Sequence, residues 1–82
     1  MNKLIGKIEL IQTENTNGND KKVITLRNKK EVCFVQFQGY YVNKLQGFNM
    51  DDNVVIEIKY RGKISKQGIR HNNIVGLNIE RV

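Results

Sequence analysis

The most highly charged stretch of this sequence is KYRGKISKQGIRH, which runs from Lys59 to His71. It carries two glycines, no acid and five fixed positive charges: Lys59, Arg61, Lys63, Lys66 and Arg70. Fixed cations bind phosphates or carboxylates through charge and hydrogen bonds, so their chemistry is recognition. We interpret the stretch as an arm that binds a polyanion. The competing interpretation is a lysine-rich loop that stays soluble and protects exposed strand edges.

A second group of candidate residues lies in CFVQFQ, residues 33–38. Strand alternation separates it into two faces, Cys33, Val35 and Phe37 on the core side and Phe34, Gln36 and Gln38 on the other. An outward aromatic between polar neighbours can stack on a base. Phe34 is therefore a candidate base contact, and packing under the first strand or in a dimer interface is the alternative. Phe37 is retained as a candidate because a one-residue shift would exchange the two faces.

Catalytic and metal-binding arrangements are not expected. The chain has one His and one Cys, in unrelated elements, so neither a Cys–His nor a Ser–His–Asp arrangement can be argued. The adjacent Asp51 and Asp52 are typical of a turn before a strand. Cys33 has no partner for a disulfide, and His71 has no second candidate metal ligand. We expect a non-catalytic protein without metal or cofactor.

Composition indicates one small basic domain, residues 1–82. The chain has 14 Lys and Arg against 8 Asp and Glu, a net charge of +6. Residues 1–20 carry two bases and three acids, and residues 21–82 carry the other 12 bases against 5 acids, so the excess is regional. Such an excess attracts nucleic acid, an anionic membrane surface or an acidic protein. Because Lys7 and Glu9 interrupt any signal-peptide core and no long apolar run follows, a cytoplasmic location and no membrane partner are expected.

The elements that would position these residues are mostly strands. Alternating apolar residues predict strands in KVITLR, CFVQFQ, NVVIEIKYR and NIVGLNIERV, with Tyr60 on the core face and Phe48 packed in the core. The opening KLIGKIELIQT predicts a longer strand that bends near Gly6 and buries its two ends against different neighbours.

The connections follow from turn formers and from one helical spacing. ENTNGND (Glu14–Asp20) predicts a polar loop, and RGKISKQGIR a turn region. A tight turn at Lys29 and Lys30 would set Leu26 opposite Cys33 and Ile24 opposite Val35. The spacing of Tyr41, Leu45 and Phe48 predicts a short helix over residues 40–47, with Tyr40 or Tyr41 closing the barrel bottom.

The resulting order is β–β–β–α–β–β, which leaves no room for the crossover helices of a parallel sheet. Five strands with one helix after the third predict an all-β fold, a small five-stranded barrel of the OB-fold class. An SH3-like barrel is the main competitor, but it does not ordinarily place a helix there.

In these residues the chain resembles bacterial single-stranded DNA-binding proteins of the OB-fold class. More closely, it is similar to compact bacterial and phage OB domains. The shared features are a KKxVCF segment (Lys29–Phe34), a phenylalanine after the helix, a GDEV-like turn (Asp51–Val54) and a hairpin tip at Gln67-Gly68. The chain departs from these families in having no tryptophan and in placing Gln38 where an aromatic is usual. The resemblance implies a homodimer or higher oligomer.

The leading hypothesis is a protein that binds single-stranded DNA with little sequence preference, in a role such as DNA replication. The candidate nucleic-acid contacts are Lys22, Arg27, Phe34, Gln36, Phe37, Gln38, Lys59, Arg61, Lys63, Lys66 and Arg70. One alternative is a protein–protein module that docks on a replication or phage partner. The other is RNA binding, which the same groove chemistry permits.

Overall fold

The computed structural model describes residues 2–16 and 18–82. Its strands are β1 (Asn2–Thr16), β2 (Asn19–Asn28), β3 (Glu31–Gln38), β4 (Asn53–Ile64) and β5 (Arg70–Arg81), and a 3₁₀ helix (Gly39–Leu45) lies between β3 and β4. The strands close into a barrel in the order β1-β2-β3-β5-β4. All neighbours are antiparallel except β3 and β5, which run parallel. The predicted five-stranded OB-fold barrel is confirmed.

Strand β1 pairs with two neighbouring strands, as its apolar pattern predicted. Its first part, Asn2 to Lys7, pairs with β4, and the part from Lys7 onwards pairs with β2. The register shifts between Ile8 and Leu10, so the bulge lies beyond Gly6 rather than at it. Gly6 has a different role. A Cβ at this position would lie 2.6 Å from the carbonyl oxygen of Arg27, so only glycine allows β1 and β2 to approach so closely.

The barrel interior is filled by aliphatic side chains around one aromatic ring. The buried apolar residues are Ile8, Ile24, Leu26, Val35, Phe37, Leu45, Val54, Ile56, Ile58, Val75 and Ile79. The largest fully buried side chain is Phe37, and its ring lies against Gly76, where any Cβ would overlap it. Burying such side chains supplies most of the stability of a small domain.

The β2–β3 hairpin has the predicted register. Leu26 pairs with Cys33 and Ile24 with Val35, and Lys29 lies in the turn with a φ of 57°. The apolar residues of both strands therefore lie on the same face of the hairpin, the face that lines the core. Cys33, expected to be buried, is half-buried near the start of β3.

The predicted loop at residues 14–20 is wrong. Strands β1 and β2 continue through it, with Glu14 opposite Lys21 and Asn15 opposite Asp20. The Asn15 side-chain amide donates to the Asp20 carboxylate at 2.6 Å, and Gly18 takes a φ of 78° at the tip. This end of the hairpin lies beyond the core, so polar residues can form strands there without an apolar face. Asn17 lies outside the described residues.

The helix between β3 and β4 is shorter and tighter than predicted. It is a 3₁₀ helix over Gly39–Leu45 instead of a helix over residues 40–47. Leu45 is the residue it buries fully. Tyr41 is partly buried against the core, whereas Tyr40 is 71% exposed. None of the helices in the described part of the chain has the length and apolar character needed to cross a membrane.

Beyond the barrel, β4 and β5 continue as a two-stranded hairpin. Within the described residues, β1 pairs with β4 no further than Ile58, and β3 pairs with β5 only at Ile74 and Val75. The hairpin pairing itself extends to Ile64 opposite Arg70. Half of the predicted turn region, residues 61–64 and 70, is therefore strand, and the turn itself lies at residues 65–69. We call residues 59–74 the projecting hairpin.

The end of β5 is fastened to the segment before β4. The Arg81 guanidinium lies over the Phe48 ring, 4.5 Å from its centroid, and its Nη2 is 3.1 Å from the Asp52 carboxylate. The same nitrogen donates to the carbonyl oxygen of Gly47. A cation over a ring with a carboxylate beside it holds this segment against the barrel. Phe48 is partly buried and packs on the core, as predicted.

Candidate functional site

An open groove lies between the projecting hairpin and the tip of the β1–β2 hairpin. Four cationic side chains line it: Lys21, Lys59, Arg61 and Lys63. Its other lining residues are Gly18, Asp20, Gln38, Gly39, Tyr41, Val42, Asn43, Val75 and Leu77. Asp20 is the one acid in this lining, and its carboxylate already accepts a hydrogen bond from Asn15. The groove is therefore strongly electropositive.

Strand alternation aims the cations of the projecting hairpin at the groove. Lys59, Arg61 and Lys63 are two residues apart on β4, so their side chains share one face. They pair with Val75, Asn73 and His71 of β5, which lie on the same face. All three cations are exposed. Long cationic side chains along one edge of a concave surface can follow a chain of phosphates.

The outer face of β2 and β3 continues from this groove. Phe34 stands on it, 61% exposed, opposite the buried Thr25. Thr25 in turn pairs with Leu10 of β1, which is 41% exposed. Phe34 is thus a bare aromatic ring on the same outer surface as Gln36 and Gln38, as its parity predicted.

Three amide side chains form a hydrogen-bonded row between β3 and β5. The Gln38 amide donates to the Gln36 oxygen at 2.9 Å, and the Gln36 amide donates to the Asn73 oxygen at 3.2 Å. Asn73 is the partner of Arg61 on β4, and Gln38 lines the groove. The row therefore connects the β3 face to the cations of the projecting hairpin.

Six of the predicted site residues belong to this surface, and five do not. Lys59, Arg61, Lys63 and Gln38 line the groove, and Gln36 and Phe34 lie on the same face of β3 as Gln38. The remaining five, Lys22, Arg27, Phe37, Lys66 and Arg70, lie elsewhere.

The prediction of Phe37 as a candidate base contact is wrong, because its side chain is fully buried and no base can reach it. No shift occurs in β3, so Phe37 keeps the parity of Val35. Lys22 pairs with Phe37 and shares that parity, so its neighbour Lys21 lines the groove in its place. The Arg27 Nε is bound to the Glu9 carboxylate at 3.0 Å, which offsets its charge.

The last two cations lie at the far end of the projecting hairpin. Lys66 is in the turn, and Arg70 pairs with Ile64 on the face opposite the groove cations. The expectation that Tyr60 is a core residue is also wrong. It keeps the core parity of Ile56 and Ile58, but it stands beyond the barrel and is 65% exposed.

A second concavity lies near Gly6, at the side of the barrel where β1, β2 and the start of β4 meet. Ile5, Lys7, Arg27, Asn28, Lys29, Asn53 and Val82 line it with Gly6. Arg27 is paired with Glu9, and the Asn28 amide donates to the Ile5 carbonyl oxygen at 3.0 Å. With part of its polar lining already engaged, this concavity is a weaker anion site than the groove.

Fold and site together define a class, a five-stranded OB-fold barrel with an electropositive groove and an exposed aromatic ring beside it. Comparison with protein-family models finds no match for the chain, and a search of curated proteins finds no similar sequence.

Proposed function

We propose that this protein binds single-stranded DNA, without catalysis, in the groove between its two hairpins. The observation that carries the proposal is the convergence of Lys21, Lys59, Arg61 and Lys63 on one concave surface with a single acid. Phosphates would meet these cations, and a base would stack on Phe34. Single-strand binders combine such a charged groove with aromatic rings, each worth about 1–3 kcal/mol per stacked base.

Two features support a single strand over a duplex. Phe34 is an exposed aromatic ring, and stacking on it requires a base that is free of its neighbours. The described helix has only seven residues, Gly39 to Leu45, and lies at the barrel end, so it provides no recognition helix for a major groove. Since the groove lining contains four cations and a single aromatic residue, the partly buried Tyr41, charge supplies most of the affinity.

The test is fluorescence anisotropy of a labelled oligo-dT titrated with the protein, with a duplex of the same length as control. Four groove cations predict that log K falls against log salt with a slope of roughly −2 to −3.5. Equal, weak binding to single strand and duplex would sink the proposal and favour an acidic protein partner. A competition between matched DNA and RNA oligonucleotides shows which nucleic acid is preferred.

The variant that tests the location of the DNA-binding site is Arg61→Glu with Lys63→Glu. Its matched control is Lys29→Glu with Lys30→Glu, which changes the net charge equally at the exposed β2–β3 turn. We expect the groove variant to lose oligo-dT binding by at least about tenfold more than the control, because local charge decides phosphate contact. Equal losses in both would mean that only the total charge of the protein matters.

A further inference from the structure

The amide row Gln38–Gln36–Asn73 holds unused hydrogen-bonding capacity beside the groove. Each amide has two N–H donors and an oxygen with two acceptor sites. Gln36, in the middle, uses one donor toward Asn73 and one acceptor site toward Gln38. One donor and one acceptor site therefore remain on Gln36, and more remain on the two ends. Because every amide contributes both a donor and an acceptor, the row can present a neighbouring donor and acceptor to a ligand in either order.

The row is also held in place. Gln36 and Gln38 are partly buried on the same face of β3, roughly 7 Å apart along the strand. Mutual hydrogen bonds restrict their rotamers before any ligand arrives, so less conformational entropy is lost on binding. Isolated surface glutamines lack this restriction. The arrangement is that of a prepared binding surface.

The chemistry of a paired donor and acceptor matches the edge of a nucleobase. Asn and Gln amides bind base edges through two hydrogen bonds, and unpaired bases expose their Watson–Crick edges. Phe34 precedes Gln36 by two residues on the same face, and Arg61 pairs with Asn73. A base stacked near Phe34 and a phosphate near Arg61 would therefore bracket the row.

Building on the proposed single-strand binding, we propose that Gln36, Gln38 and Asn73 read the Watson–Crick edges of bound bases. The protein then rejects a duplex, because the Watson–Crick edges of a duplex are already paired. This goes beyond the proposed function, in which phosphate contacts and one stacked ring carry the binding and no base edge is read.

The experiment compares oligo-dT with the same oligonucleotide built from N3-methylthymidine, which keeps the charge and the ring but blocks the edge. We expect the methylated strand to bind the wild-type protein about tenfold more weakly at fixed salt, with an unchanged salt slope. In Gln36→Met with Gln38→Met the two oligonucleotides should bind equally, because an unbranched side chain of similar size keeps the packing without the amide. Gln46→Met, at an exposed position outside the groove lining, should keep the difference.

Two results would overturn the inference. One is equal binding of both oligonucleotides by the wild-type protein. The other is a difference in affinity between the two oligonucleotides that persists both in the double variant and in Asn73→Leu. Asn73→Leu removes an amide from a different strand, so it still tests the inference if the double variant does not fold. If neither oligonucleotide binds the wild-type protein, the proposed function itself fails and the inference fails with it.

Discussion

Strand β4 is one continuous strand with two different halves. From Val54 to Ile58 it alternates and buries every second residue in the barrel. From Lys59 to Ile64 it keeps the same alternation, but every residue is exposed. Tyr60 and Ile64 hold the core parity with 65% and 70% of their surface exposed. Periodicity is the same in both halves and burial is opposite.

The difference lies in what covers the strand. The first half lies between β1 and β5, whereas within the described residues the second half pairs only with β5. A two-stranded hairpin without a third strand has no interior to fill. The projecting half is thereby released from packing constraints and can hold Lys59, Arg61 and Lys63 without burying charge. The first half therefore contributes to the core, and the second half carries three cations of the proposed binding groove.

Removing one large side chain from the barrel core and one from the projecting half of β4 should show this separation most strongly. Phe37→Ala, in the covered region, is expected to lower the free energy of unfolding by about 3–5 kcal/mol. Tyr60→Ala should change it by less than about 0.5 kcal/mol, as is usual for surface positions. Urea denaturation followed by circular dichroism measures both. A large loss of stability for Tyr60→Ala would show that the projecting hairpin packs against something in solution.

Neutralising the projecting hairpin should act on binding and leave folding unchanged. With Lys59, Arg61 and Lys63 all changed to Gln, we expect oligo-dT affinity at low salt to fall by about a hundredfold and the salt slope to become shallower by roughly 2. The unfolding midpoint in urea should stay the same, because all three side chains are exposed. The control changes Lys3, Lys29 and Lys30 to Gln, an equal loss of charge away from the groove. A control that matches the groove variant in slope would contradict the assignment of the site.

Much of the barrel could be predicted from the sequence because its signals are local. The β2–β3 register follows from the apolar parity of Ile24, Leu26, Cys33 and Val35 and from a two-residue turn. The same parity correctly places Phe34 outside. The order of strands and helix then restricts the topology to a few closed barrels.

The remaining features depend on contacts between residues distant in sequence. Asn73 joins the site only because β3 and β5 run parallel and adjacent, a pairing that no local pattern indicates. Lys21 lines the groove and Lys22 does not, because the paired strands β1 and β2 continue to Thr16 and Asn19, and Lys21 lies on their outer face. Tyr60 has the right parity for a core position, but β4 continues past the barrel. The sequence pattern predicts the strand itself, but it does not indicate the residue beyond which β1 no longer pairs with β4.

The end of β5 offers a contrast with the projecting hairpin, because the Arg81 side chain holds it against the segment before β4. Arg81→Ala removes the guanidinium from the Phe48 ring and from Asp52. We expect a loss of about 1 kcal/mol in unfolding free energy, since the pair is partly exposed and such contacts are modest. Arg81→Lys should recover only part of it, because a lysine lacks the planar group that stacks. Oligo-dT affinity should stay unchanged in both, as Arg81 is outside the groove lining. Equal stability of all three proteins would mean that the barrel end is held without this contact.

The smallest effect is expected at Gly62, on the core parity of the projecting hairpin between Tyr60 and Ile64. An added Cβ there would meet no heavy atom within 4 Å, and its φ is outside the left-handed region. Gly62→Ala should therefore stabilise the hairpin slightly, by at most about 0.5–1 kcal/mol, because alanine has fewer unfolded conformations to lose. Hydrogen exchange at the amides of Lys63 and Asn72 measures this locally, where a global melt would miss it. Slower exchange in the variant is the expected result. Faster exchange would contradict this expectation, because it would mean that the hairpin needs the backbone freedom of glycine at residue 62.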